Sequence, residues 1–423
     1  MSVISRQTVA AQQVKRLREL FATILPANEF YRDKFADTDV DSVTSLVRLR
    51  NLPFTTKSEL VADQQRHPPF GSDLSYSLSR YIRLHQTSGT TGKPLYWLDT
   101  EESWNWWAEC WKTVFQAAGV AAGDRIYFAF SFGPFIGFWS GWEGARKVGA
   151  LAISGGAQST AQRLTGIIES GATVLVCTPT YALHLAAEAR KARIDLANDS
   201  AVRITIHAGE PGASIPETKR TIEESWGAKC FDHAGATEVG AFGFECQAQR
   251  GAIHINENEF VAEYVVPGTD EPSRETEQGE LVLTNLGRAG SPVIRYRTGD
   301  LVQPSYETCP CGRPFVLLRG GVLGRVDDMV VVRGVNVYPS AVENVVREFA
   351  EIEEFRIEVF THQTMAEIKL ILEPSGSALS STGLCEQVAQ RLRQRLGLRP
   401  QVELAPPGSL PRFELKARRF FKI

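Results

Sequence analysis

The chain lacks an excess of charge of either sign. Its 46 Lys and Arg face 49 Asp and Glu, a net of −3 over 423 residues. No block of like charges interrupts that balance, which excludes the basic footprint of a nucleic-acid-binding protein. Long hydrophobic runs are missing too. The uncharged stretch from Tyr127 to Trp142 is broken by Gly133, Pro134, Gly137 and Gly141. It falls short of the ~20 apolar residues a membrane helix requires. The first twenty residues carry no signal-peptide core. Cysteine is scarce: seven, an odd number and scattered, unlike the framework of a secreted disulfide-bonded domain. Hydrophobic residues at 43% and charged ones at 22% describe a folded chain. The expectation is a cytoplasmic protein with no nucleic-acid or membrane partner, built from two or three domains at ~150 residues each.

Residues 1–80 carry apolar positions at helical spacing, Val14, Leu17, Leu20 and Phe21 among them. From about 120 the pattern alternates. GDRIYFAF, GATVLVCTP, VRITIHAGE and AKCFDHAG read as short buried strands, with a helix over Tyr181 to Ala192. Such alternation predicts β-α units and a largely parallel sheet. EFVAEYVV and GELVLTNL then read as adjacent strands of a β-rich subdomain. After Gly324 come a hairpin in DMVVVRGVNVYP, a helix over 340–349, the strands FRIEVF and EIKLILEP, and a helix with Leu384, Val388, Leu392 and Leu396 on one stripe. The fold class expected is α/β, with a large N-terminal domain (1–323) of parallel-rich sheets plus the β-rich subdomain. A small α+β C-terminal domain (324–423) follows on a hinge.

The strongest chemical signal is His85-Gln86-Thr87-Ser88-Gly89-Thr90-Thr91-Gly92-Lys93-Pro94. Its glycines let backbone N–H groups close on phosphate oxygens, while Ser88, Thr90 and Thr91 add hydroxyl donors and Lys93 a positive charge. Gly89 and Gly92 stand too close together for a GxxxxGK[ST] loop, and Pro94 replaces the magnesium-binding hydroxyl. A P-loop NTPase is thereby disfavoured.

This segment resembles the phosphate loop of the adenylate-forming superfamily of acyl-CoA synthetases, adenylation domains and luciferase. Further segments resemble that family's motifs in its own order. His207-Ala208-Gly209-Glu210-Pro211 is similar to the adenine-contacting segment, and Ala234-Gly235-Ala236-Thr237-Glu238 to the Tyr-Gly-x-Thr-Glu motif. Tyr296-Arg297-Thr298-Gly299-Asp300 is similar to the ribose-binding motif, and Gly324-Arg325-Val326-Asp327-Asp328 to the hinge. Leu410-Pro411-Arg412 with Lys416 resembles the catalytic-lysine motif. Ile294-Arg295-Tyr296-Arg297, Ser154-Gly155-Gly156, the run from Arg333 to Pro339 and the compact length resemble the phenylacetate–coenzyme A ligase branch most.

The resemblance implies ATP, magnesium and a small-molecule carboxylic acid as ligands. Ser88 to Lys93 would hold phosphates, Thr237 and Glu238 the α-phosphate and magnesium, and Asp300 the ribose hydroxyls. Arg325 would join the nucleotide site, and Lys416 would bridge carboxylate and phosphate oxygens before rotation about Asp327 admits a thiol. Coenzyme A is the expected acceptor. Transfer to a carrier thiol, an amine or a reductase is the alternative, and a nucleotide-binding pseudo-enzyme the second. The motif's adenine-stacking aromatic is Ala234 here; His233, another aromatic residue, or an acyl pocket expanded into that space are the alternatives for filling its place. Leu415 replaces the usual glycine before the lysine.

Phe132, Phe135, Phe138 and Trp139, with Gly235, are the expected acyl pocket, suited to a flat aromatic acid. The tryptophans at 104, 106, 107 and 111 are expected to pack a helix. Cys246, His254, Cys309 and Cys311 could form a structural Cys₃His zinc site, with residues 247–252 as the turn between its first two ligands. A homodimer stays open.

Overall fold

The computed structural model of the chain describes residues 5–87, 94–134, 136–332, 335–362, 365–375, 383–412 and 419–423. The first helix, Arg6–Ile24, begins where the Ser5 hydroxyl accepts the Thr8 N–H, a side-chain cap for a donor the helix leaves unsatisfied. Its face of Leu17, Leu20, Phe21 and Ile24 packs with Tyr31, Phe35 and Leu49 against Val261, Leu286 and Ile294. The helix Lys57–Arg66 opens on a capping box between Thr56 and Glu59.

The alternating region forms the expected parallel strands. They lie in the order Leu151–Ser154, Arg125–Phe128, Val174–Cys177, Ile204–His207 and Lys229–Ala236. Helices Trp139–Val148, Thr160–Glu169, Pro179–Lys191 and Pro216–Trp226 connect them. Val174–Cys177 and Ile204–His207 are buried at every position, as strands covered on both faces must be.

The β-rich segment is a continuation of the same sheet. Lys229–Ala236 pairs parallel with Ile204–His207 on one side and antiparallel with Gly240–Cys246 on the other. From there the sheet runs through Gln249–Ile255, Leu317–Arg325, Tyr296–Ser305, Gly279–Asn285 and Phe260–Val265, eleven strands in all. Beyond Arg325 and the short turn Val326–Asp328, the chain builds a second sheet. Its order is Gln401–Leu404, Met365–Pro374, Ile352–His362, Phe420–Lys422. Val342 and Val346 of the helix Pro339–Val346, and Leu384, Val388 and Leu392 of the helix Leu384–Leu396, pack with Phe355 and Leu370 into a core of its own. Among the described residues no helix is long and apolar enough to cross a membrane.

Candidate active site

Parallel strands deliver the loops at their C-terminal ends to one edge of a sheet, the usual place for a ligand in an open α/β fold. Here that edge carries the segment after Ile204–His207 and the turn after Lys229–Ala236. Gly209 takes φ +94°, a left-handed conformation that glycine adopts without strain. Glu210 accepts the Thr180 N–H at 3.0 Å. A cavity of about 450 Å³ opens beside Pro211. Its cations are already paired, Lys219 with Glu245 at 2.6 Å and Arg220 with Glu217 at 2.7 Å, and Arg250 with Glu223.

The Thr237–Glu238 turn is fixed from behind by a residue the sequence did not single out. Arg288 donates to the carbonyls of Thr237 and Glu238 at 2.7 and 3.2 Å. The same guanidinium forms a fork with both oxygens of Asp99, each bond 2.8 Å, and neither side chain is exposed. Trp97 and Trp107 lie 5.0 and 5.3 Å from it, so cation–π attraction adds to the pairing. The other face of the turn meets Lys57, whose Nζ lies 3.2 Å from Glu238 Oε1. Lys57 reaches it because Thr55 is stitched to the neighbouring strand. Its N–H donates to Arg295 at 3.0 Å, and its carbonyl accepts Arg297 N–H at 2.9 Å.

Asp300 pairs with Arg325 across adjacent strands, Nη1 to Oδ1 at 2.8 Å, and the same nitrogen donates to the Thr298 carbonyl at 2.6 Å. Gly299 between them has φ +73°, and a Cβ there would stand 2.8 Å from the Arg325 guanidinium, so the position needs glycine. Burial first, and then the charges of Glu238 and Asp300, push the Tyr296 phenol well above its ordinary pKa, with Arg325 opposing. Thr55, two residues before Lys57, also bridges to Tyr296 at the head of the strand that carries Asp300, so the Lys57–Glu238 contact and the Asp300–Arg325 pair are tied to one strand.

The aromatic residues gather where the first parallel strand ends. Phe130 meets Phe138 edge-on at 4.8 Å, and Phe132 meets Trp139 at 4.6 Å and Trp142 at 5.8 Å. Trp111 joins them, 5.8 Å from Phe138 and 4.3 Å from His233. Trp104 instead stacks on His85 at 5.2 Å, and Trp106 bonds Glu259 at 2.6 Å, which is the helix packing expected of them. His233 Nδ1 donates to the Gly243 carbonyl at 2.6 Å, and burial lowers its pKa to about 4. Because successive strand residues face opposite sides, His233 and Ala234 do not share a face. Of the alternatives for the missing ring, His233 packs its ring against Trp111. Ser88 to Lys93, Phe135 and Lys416 lie outside the described residues.

The four metal-ligating candidates converge. The ligand atoms of Cys246, His254, Cys309 and Cys311 all lie within 4.8 Å of one another. Cys246 Sγ is 3.6 Å from Cys309 Sγ, and Cys311 Sγ is 3.5 Å from His254 Nε2. Such edges suit a tetrahedron with metal–sulfur bonds of ~2.3 Å. Burial first and the Arg313 charge next lower the His254 pKa to about 4, leaving the neutral imidazole a metal requires. The turn expected over 247–252 is shorter. Cys246 pairs with Gln249, so two residues suffice and Gly251 and Ala252 belong to the next strand.

The eleven-stranded sheet, the second unit after Arg325 and the grouping at the strand ends define an adenylate-forming ligase. Residues 334–422 match the family described as AMP-binding enzyme C-terminal domain. The chain superposes on 2-hydroxyisobutyryl-CoA ligase in its postadenylation state with TM-score 0.94 at 27% identity, covering 100% of this chain and 91% of that one. Against the same ligase in its thioesterification state the TM-score is 0.75 at 28% identity, with 99% and 91% covered. The chain is also 32% identical to the phenylacetate-coenzyme A ligase of Thermus thermophilus over 98% of its length and 96% of that protein. For the Escherichia coli phenylacetate-coenzyme A ligase the figures are 30%, 98% and 94%. The chain belongs to the phenylacetate–coenzyme A ligase family.

Proposed function

We propose that the protein activates an aromatic carboxylic acid with ATP and passes the acyl group to coenzyme A. A carboxylate oxygen attacks the α-phosphorus and pyrophosphate leaves; a thiolate then attacks the acyl carbon and AMP leaves. Protein catalysis of such steps is largely positioning and charge neutralisation. The observation that carries the reading is geometric: Lys57 stands 3.2 Å from Glu238, and Thr55 two residues before it bridges to Tyr296 at the head of the strand where Asp300 pairs with Arg325. The Glu238 carboxylate, already facing the Lys57 ammonium, has the hard oxygen donors that magnesium prefers. Asp300 would accept the ribose hydroxyls, and Lys93 and Lys416 would meet phosphate oxygens.

Residues 1–323 would form the core and 324–423 the mobile unit. Asp327, exposed in the turn Val326–Asp328, would be the hinge. The separate apolar core of the second unit supports that division. The ring cluster favours a flat apolar acid. Pyrophosphate release across a panel of aryl, heteroaryl and small hydroxy acids, with and without coenzyme A, tests the assignment. An aryl acid is expected to give multiple turnovers only with coenzyme A. Release indifferent to coenzyme A would favour a carrier thiol, an amine or a reductase instead.

The Cys₃His cluster is a structural zinc site in this reading. Four protein ligands leave no open coordination position. Cys246 also lies six strand steps from Gly240, about 20 Å along the sheet at ~3.3 Å per residue, away from the Glu238 turn. About one zinc per chain should survive dialysis, and C309S should lose it and lower the thermal midpoint. Folded protein with no bound metal would dispose of the site.

A further inference from the structure

Arg419 stands three positions after Lys416 and is 8% exposed. Its guanidinium forms a fork with Glu354, Nε to Oε1 at 2.5 Å and Nη2 to Oε2 at 2.9 Å, and lies 3.4 Å from Glu343. Both carboxylates belong to the C-terminal unit and would travel with it. Arg419 also reaches out of that unit: Nη1 and Nη2 each lie 3.4 Å from Thr180 Oγ1. Thr180 sits in the first turn of Pro179–Lys191, at the edge of the large sheet, and its N–H is the donor to Glu210 Oε1. Burial works against the Arg419 charge, yet Glu354, Glu343 and Glu210 together hold its pKa above the ordinary value. A line of contacts thus runs from the end of the Lys416 segment, through Arg419 and Thr180, to the residue beside Gly209.

The Glu354 and Glu343 pairs survive any rigid turn of the C-terminal unit, whereas the Thr180 contact exists only while that unit faces the core as it does here. Only an interaction that differs between two arrangements can bias the choice between them. Building on the proposed ligase function, we propose that Arg419 is a positioning residue for the adenylate-forming step. Its charge-assisted bond to Thr180 docks the end of the Lys416 segment against the adenine-side loop, and this bond is broken when the unit turns for thioester formation.

The test separates the two half-reactions in the full-length protein. T180V removes the hydroxyl from the core side and leaves Arg419 and its carboxylates intact; T180S keeps the acceptor. Single-turnover pyrophosphate release from acid and ATP should fall about five- to tenfold in T180V, the rate equivalent of one lost hydrogen bond, and recover in T180S. Thioester formation from supplied acyl-adenylate and coenzyme A should stay within about twofold of the parent in both. Equal slowing of both half-reactions, or no change in either, would overturn the proposal. A parent protein that forms no adenylate from any acid would count against the proposed function instead. Amide exchange in ligand-free protein then decides the docking. T180V should speed exchange over residues 208–215, and unchanged exchange would refute it.

Discussion

Replacing Lys416 with alanine is expected to lower acid-dependent pyrophosphate release by about 10²- to 10³-fold, the usual loss when one preorganised charge is removed from a transition state. The lysine's proposed task is confined to the first half-reaction, where negative charge spreads over the carboxylate and phosphate oxygens as they join. ATP binding should change only a few fold, and acyl transfer from supplied adenylate to coenzyme A should persist. The segment is anchored at both ends. Arg412 pairs with Glu373 and Glu353 on one side, and Arg419 with Glu354 on the other, so alanine at 416 removes a charge without loosening those anchors. Rapid-quench measurement of each half-reaction checks the split. An equal loss in both steps would assign Lys416 a different role.

The second large effect falls far from any recognisable motif. D99N keeps the shape of the side chain but leaves Arg288 charged, fully buried and without its counter-ion. Breaking a buried pair from one side costs about 3–5 kcal/mol, and urea unfolding should report a loss of that size. Because Arg288 also holds the Thr237 and Glu238 carbonyls, the surviving folded fraction should bind ATP more weakly. Parent-like unfolding together with parent-like ATP affinity would mean that the fork carries neither stability nor site geometry.

That pair also marks where sequence reading ended. Strands such as Val174–Cys177 and Ile204–His207 were legible because burial on both faces demands continuous apolar runs. The helix Leu384–Leu396 was legible because one stripe faces the second sheet. Both signals are local. Asp99 and Arg288 lie 189 positions apart and Thr180 and Arg419 239 apart. No periodicity links such partners; Asp99 meets Arg288 through the packing of a separate two-stranded sheet against a loop, and Thr180 meets Arg419 through the way the C-terminal unit faces the core. Lys57 is an intermediate case. The Thr56–Glu59 capping box could have placed it at the head of a helix, but its approach to Glu238 depends on Thr55 bonding to the strand edge. The grouping of Cys246, His254, Cys309 and Cys311 was legible from residue type and the turns between them, while the length of the turn was not, because the register of Cys246 against Gln249 is a property of the sheet. At Ala234 the motif identified the missing ring, while the packing of the neighbouring His233 on Trp111 is a tertiary contact that no local pattern announces.

The central claim is that the acid is activated through an acyl-adenylate, and the most direct test follows one oxygen atom. With the acid labelled with ¹⁸O in its carboxylate, turnover with ATP, magnesium and coenzyme A should place one labelled oxygen in AMP for each thioester formed. Label in inorganic phosphate, or ADP as the nucleotide product, would contradict the account.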